Sequence, residues 1–387
     1  MKGFPKRGFI FWPVGTGDST TIVVDKEDGI ILQIDLRHME CATEEDDPHV
    51  PIIDILKQEL PELNEKPHLS VFALTHPDKD HCQGFSQLIK EVTIGELWFS
   101  PRIFREYHKD LCEDASAFKK EAMRRVKKTI TSKGNVGSGD RVHIIGYDDL
   151  LKEEEFEGFP QDQLTVPGNS ITELNGEDYS DCFNAFVHAP FKDDSEGERN
   201  DTSLAFRIAL SDGEVTGFAM LLGDHCYPTV KRIFDRTTDK NNLAWNVFLA
   251  PHHCSKGVMY WCDEGEKEET LRQGVLDAIE KAASDPGYIV ASSEPIPKSN
   301  EAGDNPPHAI AKNRYEEIAP DGFVCTQEHG GKDHPQPIIF EVTTAGLTYW
   351  GSQVAKAAGL TSLAKAIEQA RGGAAPPSDR VGFGENR

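Results

Sequence analysis

Thr75-His76-Pro77-Asp78-Lys79-Asp80-His81 sets four candidate metal ligands within six residues, directly after the apolar run Leu69-Ser70-Val71-Phe72-Ala73-Leu74. An apolar strand that ends in His-x-Asp-x-Asp-His delivers imidazole nitrogens and carboxylate oxygens from a strand end and the following loop. There they can converge on one or two divalent ions. Zinc accepts both ligand types, and manganese or iron also fits. The competing reading is a polar turn with hydrated Asp and His side chains.

This cluster resembles the signature of the metallo-β-lactamase fold hydrolases, in the variant where the second of three histidines is Asp. That variant is found in the hydrolase domain of the ComEC-type DNA-uptake proteins and in related choline-phosphate esterases. The likeness runs from about Phe9 to Trp350. Phe11-Trp12-Pro13-Val14-Gly15-Thr16-Gly17-Asp18-Ser19 is similar to the family's opening "VGxGDS" turn, and Ile31-Leu32-Gln33-Ile34-Asp35 to its "LIDxG" strand, with Leu36-Arg37 replacing the small residue and Gly. Asn200-Asp201-Thr202-Ser203-Leu204 resembles "NxxSL", Leu221-Leu222-Gly223-Asp224 resembles "LLTGD", and Pro251-His252-His253-Cys254-Ser255-Lys256 resembles "PHHGSK". Asn305-Pro306-Pro307-His308 is a looser match to a late "NxxGHP" element.

The resemblance implies an α/β (α+β) fold, the four-layer αββα metallo-β-lactamase sandwich, and a ligand set. One metal takes His76 and Asp78, the other takes Asp80, His81 and His253, and Asp224 bridges them. Asp35 orients a ligand histidine, and Asp18, Asn200, Ser255 and Lys256 surround the ligands or meet substrate. Asp80, His252 and His308 are the candidate catalytic groups. His252 and His253 are adjacent, and on an extended segment they point in opposite directions, so either can be the ligand. The lactamases proper add a histidine where this chain offers only Asn200 or Asp201, which leaves the first position poorer in donors. His188 matches a non-ligand element of the family. The expected cofactors are two divalent ions, zinc or manganese, with magnesium or iron as alternatives, because a carboxylate-rich site suits harder cations.

The elements needed to hold these residues are legible as a coarse alternation. Strands are expected at 8–14, 20–25, 30–35, 69–75, 95–99, 141–145, 183–188, 203–210, 216–223, 246–250, 288–292, 323–326 and 338–350. Helices are expected at 49–60, 83–91, 105–131, 228–237, 268–284, 308–318 and 361–371. Segments 148–181 and 190–201 read as surface excursions. The hydrolase domain is placed at 1–353, with 105–132 as an inserted basic helical segment, and 354–387 as a C-terminal helix and a tail of low apolar content that could meet a protein partner.

Composition bounds the partners. A net charge of −24 opposes binding to a phosphate backbone except through a local patch. One patch exists: Lys119, Lys120, Arg124, Arg125, Lys127 and Lys128 are six basic residues in ten. Eight cysteines without a CxxC pair fit reduced thiols, and no apolar run approaches the roughly 20 residues of a membrane span, so a cytoplasmic enzyme with no membrane attachment is expected. Three functions follow: a phosphodiesterase acting on DNA or RNA, a small-molecule esterase of the phosphocholine or cyclic-nucleotide kind, and a regulatory subunit that keeps the fold.

Overall fold

The computed structural model describes residues 3–44, 47–106, 111–192, 199–300, 303 and 305–351. Two large sheets carry helices on their outer faces. The first has ten strands, in the order Gly346–Tyr349, Ile338–Thr343, Gly8–Phe11, Thr20–Asp25, Ile30–Ile34, Lys66–Leu74, Thr93–Phe99, Arg141–Ile145 and Leu164–Thr165, with Glu62–Leu63 pairing Lys66–Leu74 off this path. The second has seven, in the order Gly322–Cys325, Ala283–Ala291, Trp245–Leu249, Thr216–Leu221, Ala205–Ser211, Phe183–Ala189 and Ser170–Ile171.

Side-chain alternation assigns each strand face to a layer. Trp98 points inward to Phe206 of the opposite sheet, with ring centroids 6.2 Å apart, and Phe340 meets Tyr288 in the same way at 5.3 Å. Neighbouring Phe99 points outward, where it joins Phe72, Phe85 and Phe118 under the helices Phe85–Glu91 and Glu113–Thr131. On the other side, Trp245 and Phe248 pack with Val230, Ile233, Ile279 and Tyr315 of the helices Tyr227–Arg236, Gln273–Lys281 and Ala309–Ile318. This is the layered mixed α/β sandwich expected from the sequence.

Parallel pairing fixes where the chemistry falls. Ile30–Ile34 runs parallel to Lys66–Leu74, while Thr216–Leu221, Trp245–Leu249 and Ala283–Ala291 run parallel in sequence. Parallel strands place their C-terminal ends on one side of a sheet, where ligand-binding loops gather. Asp35, His76, Asp224, His253 and Ser292 each follow one of these ends.

Several expected elements change. The helix 105–131 becomes a short turn Arg102–Arg105 and a separate helix Glu113–Thr131, started by Cys112, whose sulfur accepts from the Ala115 amide. The span 268–284 holds a helix at Gln273–Lys281 and then runs straight into the strand Ala283–Ala291. The excursion 148–181 supplies the terminal strands of both sheets, Leu164–Thr165 and Ser170–Ile171. Contacts divide the chain into Met1–Thr348 and a remainder Tyr349–Arg387. The expected helix 361–371 and the tail lie outside the described residues.

Candidate metal centre

Three histidines arrive with their tautomers already set. Asp35, fully buried at the end of its strand with φ of 55°, accepts from the Thr75 amide at 2.7 Å, the Thr75 hydroxyl at 2.6 Å and His81 Nδ1 at 2.7 Å. A non-glycine residue with positive φ costs free energy, and the three bonds hold it there. With its hydrogen committed to Asp35, the Thr75 hydroxyl accepts from His76 Nδ1 at 3.0 Å. His253 Nδ1 donates to the Ser292 carbonyl at 3.2 Å. A carbonyl can only accept, so the proton of His253 sits on Nδ1. In the neutral form of each ring Nε2 therefore carries the lone pair, the arrangement that outer hydrogen bonds impose on metal-binding imidazoles.

These lone pairs share one space with carboxylates. His81 Nε2 lies 3.3 Å from His253 Nε2, and as neutral rings neither has a proton to offer the other. His253 Nε2 is 3.3 Å from Asp80 Oδ2 and 3.4 Å from Asp224 Oδ2, and His81 Nε2 is 3.3 Å from Asp224 Oδ1. His76 Nε2 is buried without a hydrogen-bond partner, 3.6 Å from Asp78 Oδ2 and 3.7 Å from Asp224 Oδ2. Donor atoms of Asp18, His81, Asp224 and His253 all lie within 4.8 Å of one another.

The electrostatics lead to the same conclusion. Burial disfavours charge on His81 and His253, yet Asp224 beside both, with Asp35 on His81 and Asp18 on His253, raises their pKa values well above the usual imidazole range. Burial likewise disfavours the Asp224 carboxylate, but His253 and His81 hold it well below its ordinary value. Two imidazoliums would set N–H groups head to head at the 3.3 Å separation of the nitrogens. A divalent cation satisfies the same anionic field and takes both lone pairs, so the residues fit a metal. His76, Asp78 and Asp224 would hold one ion, and Asp80, His81, His253 and Asp224 another.

The turn Pro251–Cys254 settles the geometry of the paired histidines. His252, His253 and Cys254 have φ of 50°, 54° and 65°, so the segment is a left-handed turn and not the extended run expected. His253 is driven into the cluster, while His252 stands at its rim with 24% of its side chain exposed and Nε2 3.9 Å from Asp224 Oδ2. The His252 amide donates to the Gly223 carbonyl at 3.1 Å. Gly223 has φ of 53°, and a Cβ there would lie 2.9 Å from Ser203 Cβ, so the turn carrying Asp224 needs glycine.

Other expected residues are placed differently. His308 is buried, and its Nδ1 accepts from the Lys256 amide at 3.1 Å while its own amide donates to the Cys254 carbonyl. It buttresses the histidine turn. Lys256 Nζ pairs with Glu269 at 2.9 Å, and the Ser255 hydroxyl accepts from the Gly257 amide. Asn200 lies in the turn Asn200–Thr202, where its carbonyl accepts from the Ser203 amide. Asp18 lies on the Nδ1 side of His253, 3.6 Å away. His188 bonds the Asn242 carbonyl, in keeping with a non-ligand.

Sequence reading missed Arg199. Its Nη1 donates to Asp78 Oδ1 at 2.8 Å and its Nη2 to Glu106 Oε2 at 3.1 Å. No local signal marked it, since it lies in the segment 190–201 read as a surface excursion.

The basic helix begins beside the metal loop, where Cys112 Sγ is 3.7 Å from Cys82 Sγ. Arg125 is only 4% exposed and donates to Glu121 and to the carbonyls of Ile94, Gly95 and Arg141, so it is removed from the proposed nucleic-acid surface. A spacing of seven from Phe118 is the sequence signal that could have marked it for the buried stripe. Arg124 is held by Glu121 and Asp140, and Lys119 by the carbonyls of Phe104 and Glu106. Lys120, Lys127 and Lys128 are exposed.

No family model and no curated protein matches the sequence. Among solved structures, the chain is similar to a class B3 di-zinc metallo-β-lactamase from an Alaskan soil metagenome, at 13% identity over 73% of this chain and 91% of that one, with a TM-score of 0.33.

Proposed function

We propose that the protein is a metal-dependent hydrolase that cleaves phosphodiester bonds, with a DNA or RNA strand as its substrate. The convergence of three Nε2 atoms, each ring engaged through Nδ1, on carboxylates that share Asp224 is the observation that supports it. Metal ions in such a site supply an activated water at neutral pH and neutralise charge on the phosphate. The chain does the rest. Asp35, Thr75 and Ser292 fix the rings so that no reorganisation is needed when substrate arrives. Asp80 and Asp78 open toward solvent, with 35% and 32% of their side chains exposed, and Asp80, which is not paired to Arg199, can take a proton from the attacking water. His252 on the rim is placed to contact the phosphate or to protonate the leaving oxygen.

A second reading, a small-molecule phosphodiesterase, is favoured by one observation. Arg125 is buried, and Lys119 and Arg124 are paired to groups of the protein itself, which leaves Lys120, Lys127 and Lys128 for a polymer. Protein reloaded with Mn²⁺, Zn²⁺ or Mg²⁺ and assayed on single-stranded DNA, duplex DNA, RNA and bis-p-nitrophenyl phosphate separates the two. Cleavage of a nucleic acid is expected. Turnover of the nitrophenyl ester alone selects the small-molecule reading, and inertness of fully loaded protein toward all four leaves a regulatory role.

A further inference from the structure

The two halves of the centre are unequal. The His81 side offers two imidazoles and Asp80 besides the shared Asp224, with Asp18 close by. The His76 side offers one imidazole and Asp78, and Asp78 already shares one of its two oxygens with a guanidinium.

That guanidinium is held firmly. The Arg199 fork spans Asp78 and Glu106, and Glu106, 9% exposed, is itself gripped by Arg102 Nε at 2.6 Å. The surrounding turn is pinned from both sides. The Leu204 amide donates to the Thr75 carbonyl at 3.1 Å, and His225 Nε2 to the Ser203 carbonyl at 3.0 Å. Arginine does not lose its proton in proteins, so this positive charge is permanent, and it offers donors but no lone pair. It neutralises Asp78 and repels a dication placed against the other Asp78 oxygen.

We infer that Arg199 is a built-in cation that makes the His76–Asp78 position a weak metal site, so that the protein holds one divalent ion tightly between His81 and His253 and a second only at high concentration. The inference rests on the metal-centre reading above.

Equilibrium titration of metal-free protein with Zn²⁺ or Mn²⁺, with metal counted after gel filtration, tests it. Wild type should retain one equivalent. Arg199→Gln, which removes the charge, should tighten the second equivalent by roughly 10–100-fold, the usual reach of a group that contacts a ligand and not the metal. Arg199→Lys should keep the second weak, and adding Asp78→Asn to Arg199→Gln should lose the gained equivalent. Wild type that retains two equivalents of similar affinity overturns the inference without any variant having to fold. So does an Arg199→Gln protein, folded by circular dichroism, whose second affinity is unchanged. Wild type that binds no metal at all, with His253→Ala no different, overturns the metal-centre reading instead.

Discussion

At the scale of single residues, the centre depends on protons that are kept off Nε2. Asp35 fixes the His81 tautomer through a 2.7 Å bond while making no contact with the shared space, so Asp35→Ala should weaken metal binding by roughly 10–100-fold without abolishing it. His253→Ala and Asp224→Ala remove donors outright and should lose the ion of the His81 side. Metal analysis of the purified variants reads both results; wild-type content in Asp224→Ala would show that the cluster is not the metal site. His252→Ala should behave in the opposite sense. The variant should keep its metal yet lose roughly 10²–10⁴ in turnover if the ring transfers a proton, with partial rescue on a nitrophenolate leaving group that needs none. Loss of metal in His252→Ala would exchange the roles of the two histidines.

At the scale of elements, two charged side chains are built into the scaffold. Glu96, on the strand Thr93–Phe99, has its carboxyl pushed up to about 7 by burial, against the pull of the Asn175 amide bond at 2.7 Å. The unfolded group ionises near 4.5, so between pH 4.5 and about 7 the native state binds more protons than the unfolded one. Stability therefore falls as pH rises through that window. The cost is absent below it, fully present above it, and amounts to about 3 kcal/mol at most. Glu96→Gln should flatten the decline and raise the midpoint of denaturation at pH 8 relative to wild type. A parallel pH profile in the variant would mean that the carboxyl ionises normally. Arg125 works differently: truncation to Ala removes its bonds to three strand carbonyls and leaves Glu121 to Arg124 alone, and should cost about 1–3 kcal/mol in a urea titration. Changing Lys120, Lys127 and Lys128 to Glu should leave stability nearly unchanged and flatten the salt dependence of any nucleic-acid binding. An unaltered salt slope would point to the small-molecule substrate.

At the scale of the molecule, the centre joins the two sheets, since Asp35, His76 and His81 come from the first and Asp224 and His253 from the second. Buried carboxylates and imidazoles that a cation would satisfy tie the fold's stability to metal. Chelation should lower the thermal midpoint, and restoring free metal to 100 times its dissociation constant should return about 2.7 kcal/mol. Identical melting curves with and without chelator, on protein proven to bind metal, would contradict that coupling. Much of this was legible from the chain. An apolar run ending in His-x-Asp-x-Asp-His, a Leu-Leu-Gly-Asp strand end and a Pro-His-His turn are each local, and strand alternation with parallel pairing brings such ends to one edge whatever the loops between them do. Three matters belonged to the tertiary structure alone. The side that His252 and His253 each face depends on a left-handed turn that follows from the Gly223 contact, where sequence offered only an extended phase. The place of His308 depends on its bond to the Lys256 amide. Arg199 reaches Asp78 across 121 residues of chain, and a long-range ion pair leaves no periodicity, spacing or composition by which a sequence could announce it.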